Sequence, residues 1–431
     1  MKRNSFKATL FSMAIMAVIG FSCSNEQTTG GDDIIDDEIF VDMVYPKKTI
    51  DLTPEQWQMV IANNAFAFDF FRQVNAFDGE KNSFCSPQSL TYMLGMLCTG
   101  ADGETRQQMM DVLHLGNYDV TAVNDFCANL MKSAPLIDPK VTLSIANSIY
   151  VNNRIGTILP AFDNAMKQFY EADIEALDFA SPSALSHING WCKEKTNGMI
   201  PTILDQIDPS CVMYLLNAIY FKADWAKKFN EKNTKNVDFI MPSGAKKQLP
   251  MMHQKVRVRY GSNSNYSAIS LPYGEGAFCM LLLLPNEGKT VDDVIDALKP
   301  ADLKECIDRI ADVDVKVPRF VSETGIDLTK IMPKMGMQKA FDENFAEFPW
   351  MVKEGGLYVS KMLQKAKIEV NEKGSEAAAV TISGMAYVTS VGPSETFVEK
   401  HDFHANRPFV YLITERGSDA VFFIGKFTGE D

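Results

Sequence analysis

Apolar residues recur at helical spacing from Ala62 to Val74, read as Ala-Asn-Asn-Ala-Phe-Ala-Phe-Asp-Phe-Phe-Arg-Gln-Val. This predicts a helix that begins near Thr53. Pro87 suits the first turn of a second helix, at the head of the stretch that leads into Thr91–Gln108. A third opens at Ile188 and stops near Asn197-Gly198. Buried-strand patterns occupy Leu143–Asn152, Ile174–Phe179 and Tyr214–Lys222. Shorter ones follow at Pro250–Gln254, Ile269–Tyr273 and Phe278–Pro285, with Gly274-Glu275-Gly276 as a hairpin turn. Val313–Phe320 alternates as a strand, and Ile326–Met335 reads as a helix start. Ala366–Asn371 alternates again. The last hairpin runs Phe403–Ile413 and Val421–Phe427, turning at Arg416–Asp419.

Between these last strands lies a long stretch without a clear element, and strong strand patterns resume only at Pro408. A connection this long inside a compact domain is functional or disordered. It opens with Glu372 to Thr381, Glu-Lys-Gly-Ser-Glu-Ala-Ala-Ala-Val-Thr. Local propensity reads a short helix here, with Ser375 as N-cap ahead of Glu376, Ala377, Ala378 and Ala379. Size supports a second reading. As a strand, Ser375, Ala377, Ala379 and Thr381 share one face, all of them small, and Gly374 is a permissive pivot. Such a segment could slide between existing strands without displacing large side chains.

The net charge of -13 argues against a nucleic-acid partner, for which a basic stripe would be expected. Lys2 and Arg3 precede an apolar run from Ala8 to Phe21, then Ser22 and Cys23. Basic start, short apolar core and small residue at the cut define a secretory leader, residues 1–22. Cys23 resembles the lipid-bearing cysteine of bacterial lipoproteins, although Gly20 and Phe21 depart from that motif. Residues 23–40 are polar and acidic and read as a flexible tether. The expectation is export and lipid anchoring at a bacterial envelope, at the cell surface or in the periplasm, with no other hold on a membrane. Cys23→Ser is expected to release the mature chain from the membrane fraction; unchanged association in fractionated cells would dismiss the anchor. The remaining seven cysteines, Cys85, Cys98, Cys127, Cys192, Cys211, Cys279 and Cys306, include no Cys-x-x-Cys pair and read as buried free thiols.

Nucleophile elbow, zinc-protease, Walker and dinucleotide motifs are absent, so a non-enzyme without cofactor is expected. His253 has no second histidine near it in sequence and favours a structural role. His401, Asp402 and His404 have conceivable metal spacing, but His404 falls at a predicted strand entry, and no metal is expected.

Several motifs resemble the serpins, the serine protease inhibitor superfamily. The Glu372–Thr381 stretch carries every fixed position of that family's inhibitory hinge. Asn82-Ser-Phe-Cys-Ser-Pro-Gln-Ser89 and Gly100-Ala-Asp-Gly-Glu-Thr105 match a second pattern. Asn217-Ala-Ile-Tyr-Phe-Lys222 with Trp225, Met337-Gln-Lys-Ala-Phe341, and Phe403-His-Ala-Asn-Arg-Pro-Phe409 match three more. The resemblance covers nearly the whole mature chain. It implies one α+β domain, residues 41–431, with several β-sheets, surrounding helices and an exposed reactive-centre loop at about 372–402. It implies that Ser86, Ser89, Asn217 and Gln364 form a polar cluster under the central sheet, where many members carry histidine in place of Gln364. The two serines could equally be helix caps. Trp225 is placed at the top of the sheet.

The resemblance also implies a function: inhibition of serine endopeptidases, and of cysteine endopeptidases as a wider range, by trapping them as the cut loop enters the central sheet. Counting Glu372 as the first residue, the reactive bond falls about seventeen along, at Val388–Thr389, with Tyr387–Val388 as the alternative. Val388 suits an elastase-like pocket and Tyr387 a chymotrypsin-like one. A monomer is expected. The rival readings are a non-inhibitory serpin acting in binding or folding assistance, and an unrelated lipid-anchored enzyme. Bulky or charged residues, or proline, in the hinge would favour the former, and this hinge reads as clean. The missing site motifs count against the latter.

Overall fold

The structure, a computed structural model, describes residues 46–301, 303, 307–375 and 398–430. The leader and tether, Cys23, Cys306, Glu376, Ala377, Ala378, Ala379, Thr381, Tyr387, Val388 and Thr389 lie outside the described residues. Helix α1 (Pro54–Asp78) starts on a capping box: Gln56 N–H donates to Thr53 Oγ1, and Thr53 N–H donates to Gln56 Oε1. Helix α2 (Pro87–Gly100) is buried on nearly every side, because it lies beneath the sheets rather than on the surface. Helices α3 (Gly103–Val112), α4 (Val120–Ser133), α5 (Pro160–Tyr170), α6 (Ala184–Lys195), α7 (Val291–Ala297) and the short α8 (Leu328–Ile331) complete the set among the described residues.

Two sheets organise the described strands. The larger runs β1 (Ser83–Cys85), β15 (Val421–Phe427), β14 (Phe409–Glu415), β8 (Phe278–Pro285), β7 (Tyr266–Pro272), β6 (Lys246–Ser262), β9 (Arg309–Pro318) and β13 (Lys400–His404), with β5 (Lys235–Ile240) beside β6. The smaller runs β10 (Phe320–Asp327), β11 (Lys361–Val370), β12 (Gly374–Ser375), β4 (Met213–Asp224), β2 (Val141–Asn152) and β3 (Asp173–Leu177). Strand β4 is buried almost throughout, as its largely apolar sequence implies, whereas β11 alternates buried and half-buried residues.

Three expectations change. Val313–Phe320 is not one strand: β9 stops at Pro318, Arg319 N–H donates to Pro250 O, and Phe320 opens β10 in the other sheet. Ile326 is still strand, and the helix after it lasts only from Leu328 to Ile331. It tightens at once to a 3-10 turn over Met332–Met335, where Pro333 has no N–H to continue an α-helix. Strand structure also resumes before Pro408. The arm expected from Phe403 divides: β13 is a charged edge strand in which Phe403 alone is buried, and the hairpin proper starts with β14 at Phe409.

Candidate functional site: the opening between β11 and β4

Strands β11 and β4 run parallel and pair directly from Lys361–Tyr214 to Ala366–Ile219. Beyond that point β12 lies between them. Ser375 pairs antiparallel with Val370 on one side and Ala223 on the other, and Gly374 pairs with Asp224. The hinge thus starts inside the sheet. Ser375 is a buried strand residue here, not the helix N-cap that local propensity allows. The ladder on both sides outweighs a few tenths of a kcal/mol of helix preference, on the order of the whole propensity scale. A tight turn delivers the segment: Asn371 N–H donates to Gly374 O at 2.9 Å, and Gly374 N–H returns a bond to Asn371 O at 3.2 Å. Gly374 must be glycine, since a Cβ there would collide with the Ala223 carbonyl oxygen, which is backbone and cannot yield.

A clamp closes over this turn. Trp225 donates its backbone N–H to Lys373 O and its indole Nε1–H to Asn371 O, both at 2.8 Å. Its ring stacks on Tyr273 at 4.4 Å, and Tyr273 Oη hydrogen-bonds Ser375 Oγ at 2.6 Å. Burial pushes the Tyr273 phenol up, out of reach of deprotonation, so it stays a hydroxyl at any physiological pH. Glu372 is buried, yet burial does not win: hydrogen bonds from Arg319 and from Thr234 Oγ1 (2.6 Å) hold its carboxyl below the usual range. The same contact raises Arg319.

A group depressed in the folded state contributes stability above its unfolded pKa and loses it as pH falls through the folded value. Glu372→Gln is therefore expected to cost about 1 kcal/mol near neutrality, a low figure because Arg319 is half-exposed and rehydrates. The melting-temperature gap between parent and variant should close on acidification below the ordinary glutamate range, about 4.3. A gap independent of pH would deny the ion pair this role.

Beneath the directly paired part, the expected polar cluster resolves into two pairs. Gln364 exchanges hydrogen bonds with the Ser86 peptide, accepting from its N–H and donating to its C=O, each at 2.9 Å. Ser86 Oγ donates to Phe422 O at 2.7 Å and caps α2 by accepting from Ser89 N–H, so the cap and cluster readings of Ser86 hold together. Asn217 sits at the register position beside Gln364 but bonds to Asn147 instead, Nδ2 to Oδ1 at 3.0 Å. Ser89 Oγ, Asn217 Oδ1 and Asn147 Nδ2 are buried without a hydrogen-bond partner. Each such atom costs about 1–3 kcal/mol. Asn147, Thr234, Tyr273 and Arg319 are absent from the sequence-based set. Each lies 50 or more positions from its partner, and no local pattern marks it.

Residues 61–429 match the model of the Serpin (serine protease inhibitor) family, and the chain belongs to it. The chain is similar to the leukocyte elastase inhibitor of Xenopus laevis, 31% identical over 382 residues that span 84% of this chain and 97% of that protein. Among solved structures it is similar to thyroxine-binding globulin in complex with thyroxine, with TM-score 0.77 and 29% identity over 86% of this chain and 99% of the other. It is also similar to the thermophilic serpin tengpin in its native state, with TM-score 0.77 and 28% identity over 89% and 97%. The fold is the α+β serpin fold, a single domain with several sheets.

Proposed function

We propose that this serpin inhibits serine proteases as a suicide substrate, with the cut loop completing its entry between β11 and β4. The observation that carries the reading is the placement of Gly374 and Ser375 in that opening. Their register, continued, sets Thr381 between Asn217 and Gln364, and Gly384 between Tyr214 and Lys361 at the far end of the paired strands. Every inward position along this lane up to Thr381 is small, and the Thr381 hydroxyl would arrive beside the unpartnered Asn217 Oδ1. The lane ends short of Val388, so Val388 would reach the bottom of the sheet as the tethering residue.

In chemical terms the protease serine attacks the Val388 carbonyl carbon. The Val388–Thr389 bond breaks, Thr389 leaves with a new amino terminus, and Val388 stays acyl-linked. Insertion then drags the protease along, and a displacement of ~1 Å in its active site slows deacylation by ~10²-fold. The relatives named as leukocyte elastase inhibitors support an elastase-like target, as does the small apolar Val388.

Incubation with pancreatic or neutrophil elastase tests this. An SDS-stable adduct is expected, together with a released fragment that starts at Thr389 by mass spectrometry. A start at Val388 would move the bond to Tyr387–Val388 and the target to a chymotrypsin-like protease. Met385–Ser390 is the window for the bond. Clean cleavage with no adduct from either protease class would favour the non-inhibitory alternative, which the likeness to thyroxine-binding globulin keeps in view.

A further inference from the structure

Beside the far end of the loop, three strands bring together side chains that lie far apart in sequence. In the register of the larger sheet, Asp314 of β9 stands opposite Asp402 of β13, and His404 follows on the same face. His253 reaches the same spot from β6. Asp314 Oδ1 is 3.1 Å from His404 Nε2 and 3.0 Å from His253 Nε2. Ligand atoms of Asp314, Asp402 and His404 all lie within 4.8 Å of one another. Strand alternation sends His401 to the opposite face, where it stacks on Tyr260 at 3.9 Å. The sequence spacing thus pairs His404 with the wrong histidine, and the histidine that looks solitary, His253, is its true neighbour.

We propose that Asp314, Asp402 and His404 form a zinc site that ties β13 to β9. One imidazole nitrogen and two carboxylates suit a divalent zinc ion at about 2.0–2.2 Å per bond. Tetrahedral bonds of that length put ligand atoms about 3.3 Å apart. The Asp314–His404 pair is already at that spacing, and the exposed Asp402 side chain has to close about 1.5 Å at most. Water takes the fourth position. His253 keeps its hydrogen bond to Asp314 and orients that carboxylate, as outer partners of metal ligands do.

To take the ion, His404 has to present a bare Nε2. Lys316 and Lys255 share this face and oppose the ion, while Asp312 is occupied by Arg257. The placement gives the site its consequence. β13 is the edge strand that follows the reactive loop and pairs only with β9 among the described strands, so a metal bridge would fasten the end of the loop that stays behind.

The test uses the mature protein, stripped with a chelator and titrated with zinc against a chromophoric competitor, in parent, Asp402→Asn, His404→Gln and His401→Ala forms. Circular dichroism checks that each is folded; Asp402 is exposed, so its isosteric change is the safer variant. One equivalent is expected to bind, with affinity at least about tenfold weaker in both Asp402→Asn and His404→Gln and unchanged in His401→Ala. Zinc should also slow hydrogen exchange of the β13 amides in the parent and not in Asp402→Asn. No stoichiometric binding, retention of affinity in either ligand variant, or an equal loss in His401→Ala overturns the site.

Discussion

Ala377→Arg is expected to leave cleavage of the loop intact and to reduce the stable adduct, which the proposed mechanism predicts for the parent, at least about tenfold. Continuing the register from Ser375 sets position 377 inward, between Phe221 on β4 and Ile368 on β11. Both of those residues are buried in the core. An arginine arriving there would bring a charge without a partner into that interior, at a cost of several kcal/mol, roughly tenfold in rate for each 1.4 kcal/mol. Under the proposed mechanism only insertion slows deacylation, so with insertion stalled the acyl link would be hydrolysed. The structure separates this test from the same change at Ser375. Ser375 is already buried against Tyr273, so Ser375→Arg would disturb the intact protein before any protease arrives. Gel quantification of adduct against cleaved chain decides the matter: an Ala377→Arg protein that forms as much adduct as the parent would remove the insertion mechanism.

Cutting the loop within Met385–Ser390 is expected to raise the melting temperature by more than about 10 °C. Among the described residues of the hinge, Gly374 and Ser375 occupy the opening, and below them β11 and β4 pair with each other. Insertion down to Gly384 would replace that one ladder by two, at about 1 kcal/mol per hydrogen bond. It would also bring the Thr381 hydroxyl to Asn217 Oδ1, which has no partner now. Each kcal/mol moves the melting point of a large domain by about 2 °C. Calorimetry of intact and cut protein is the check. Equal melting temperatures would mean that the lane is not filled and would favour a binding or folding-assistance role.

Much of this architecture was legible along the chain, because its signals are local. The buried run of β4, the alternation of β11, the helix start near Thr53 and the final hairpin each depend on residues within a turn or a strand of one another. The small residues of the hinge, with Gly374 at its pivot, were equally legible. Which conformation they adopt was not, since Ser375 satisfies helix-cap and strand rules alike. The choice is made by Val370 and Ala223, which offer a ladder on each side, and by Tyr273, which binds the Ser375 hydroxyl. The same holds where charge is concerned. No local pattern shows that Glu372 will be buried against Arg319 and Thr234, and His253 reads as solitary until β9 and β13 bring Asp314 and His404 to it. Local propensity fixes what a segment is able to become. Contacts between strands distant in sequence decide what it becomes, because a buried hydrogen bond or ion pair is worth more than the few tenths of a kcal/mol, roughly, that separate one local conformation from another.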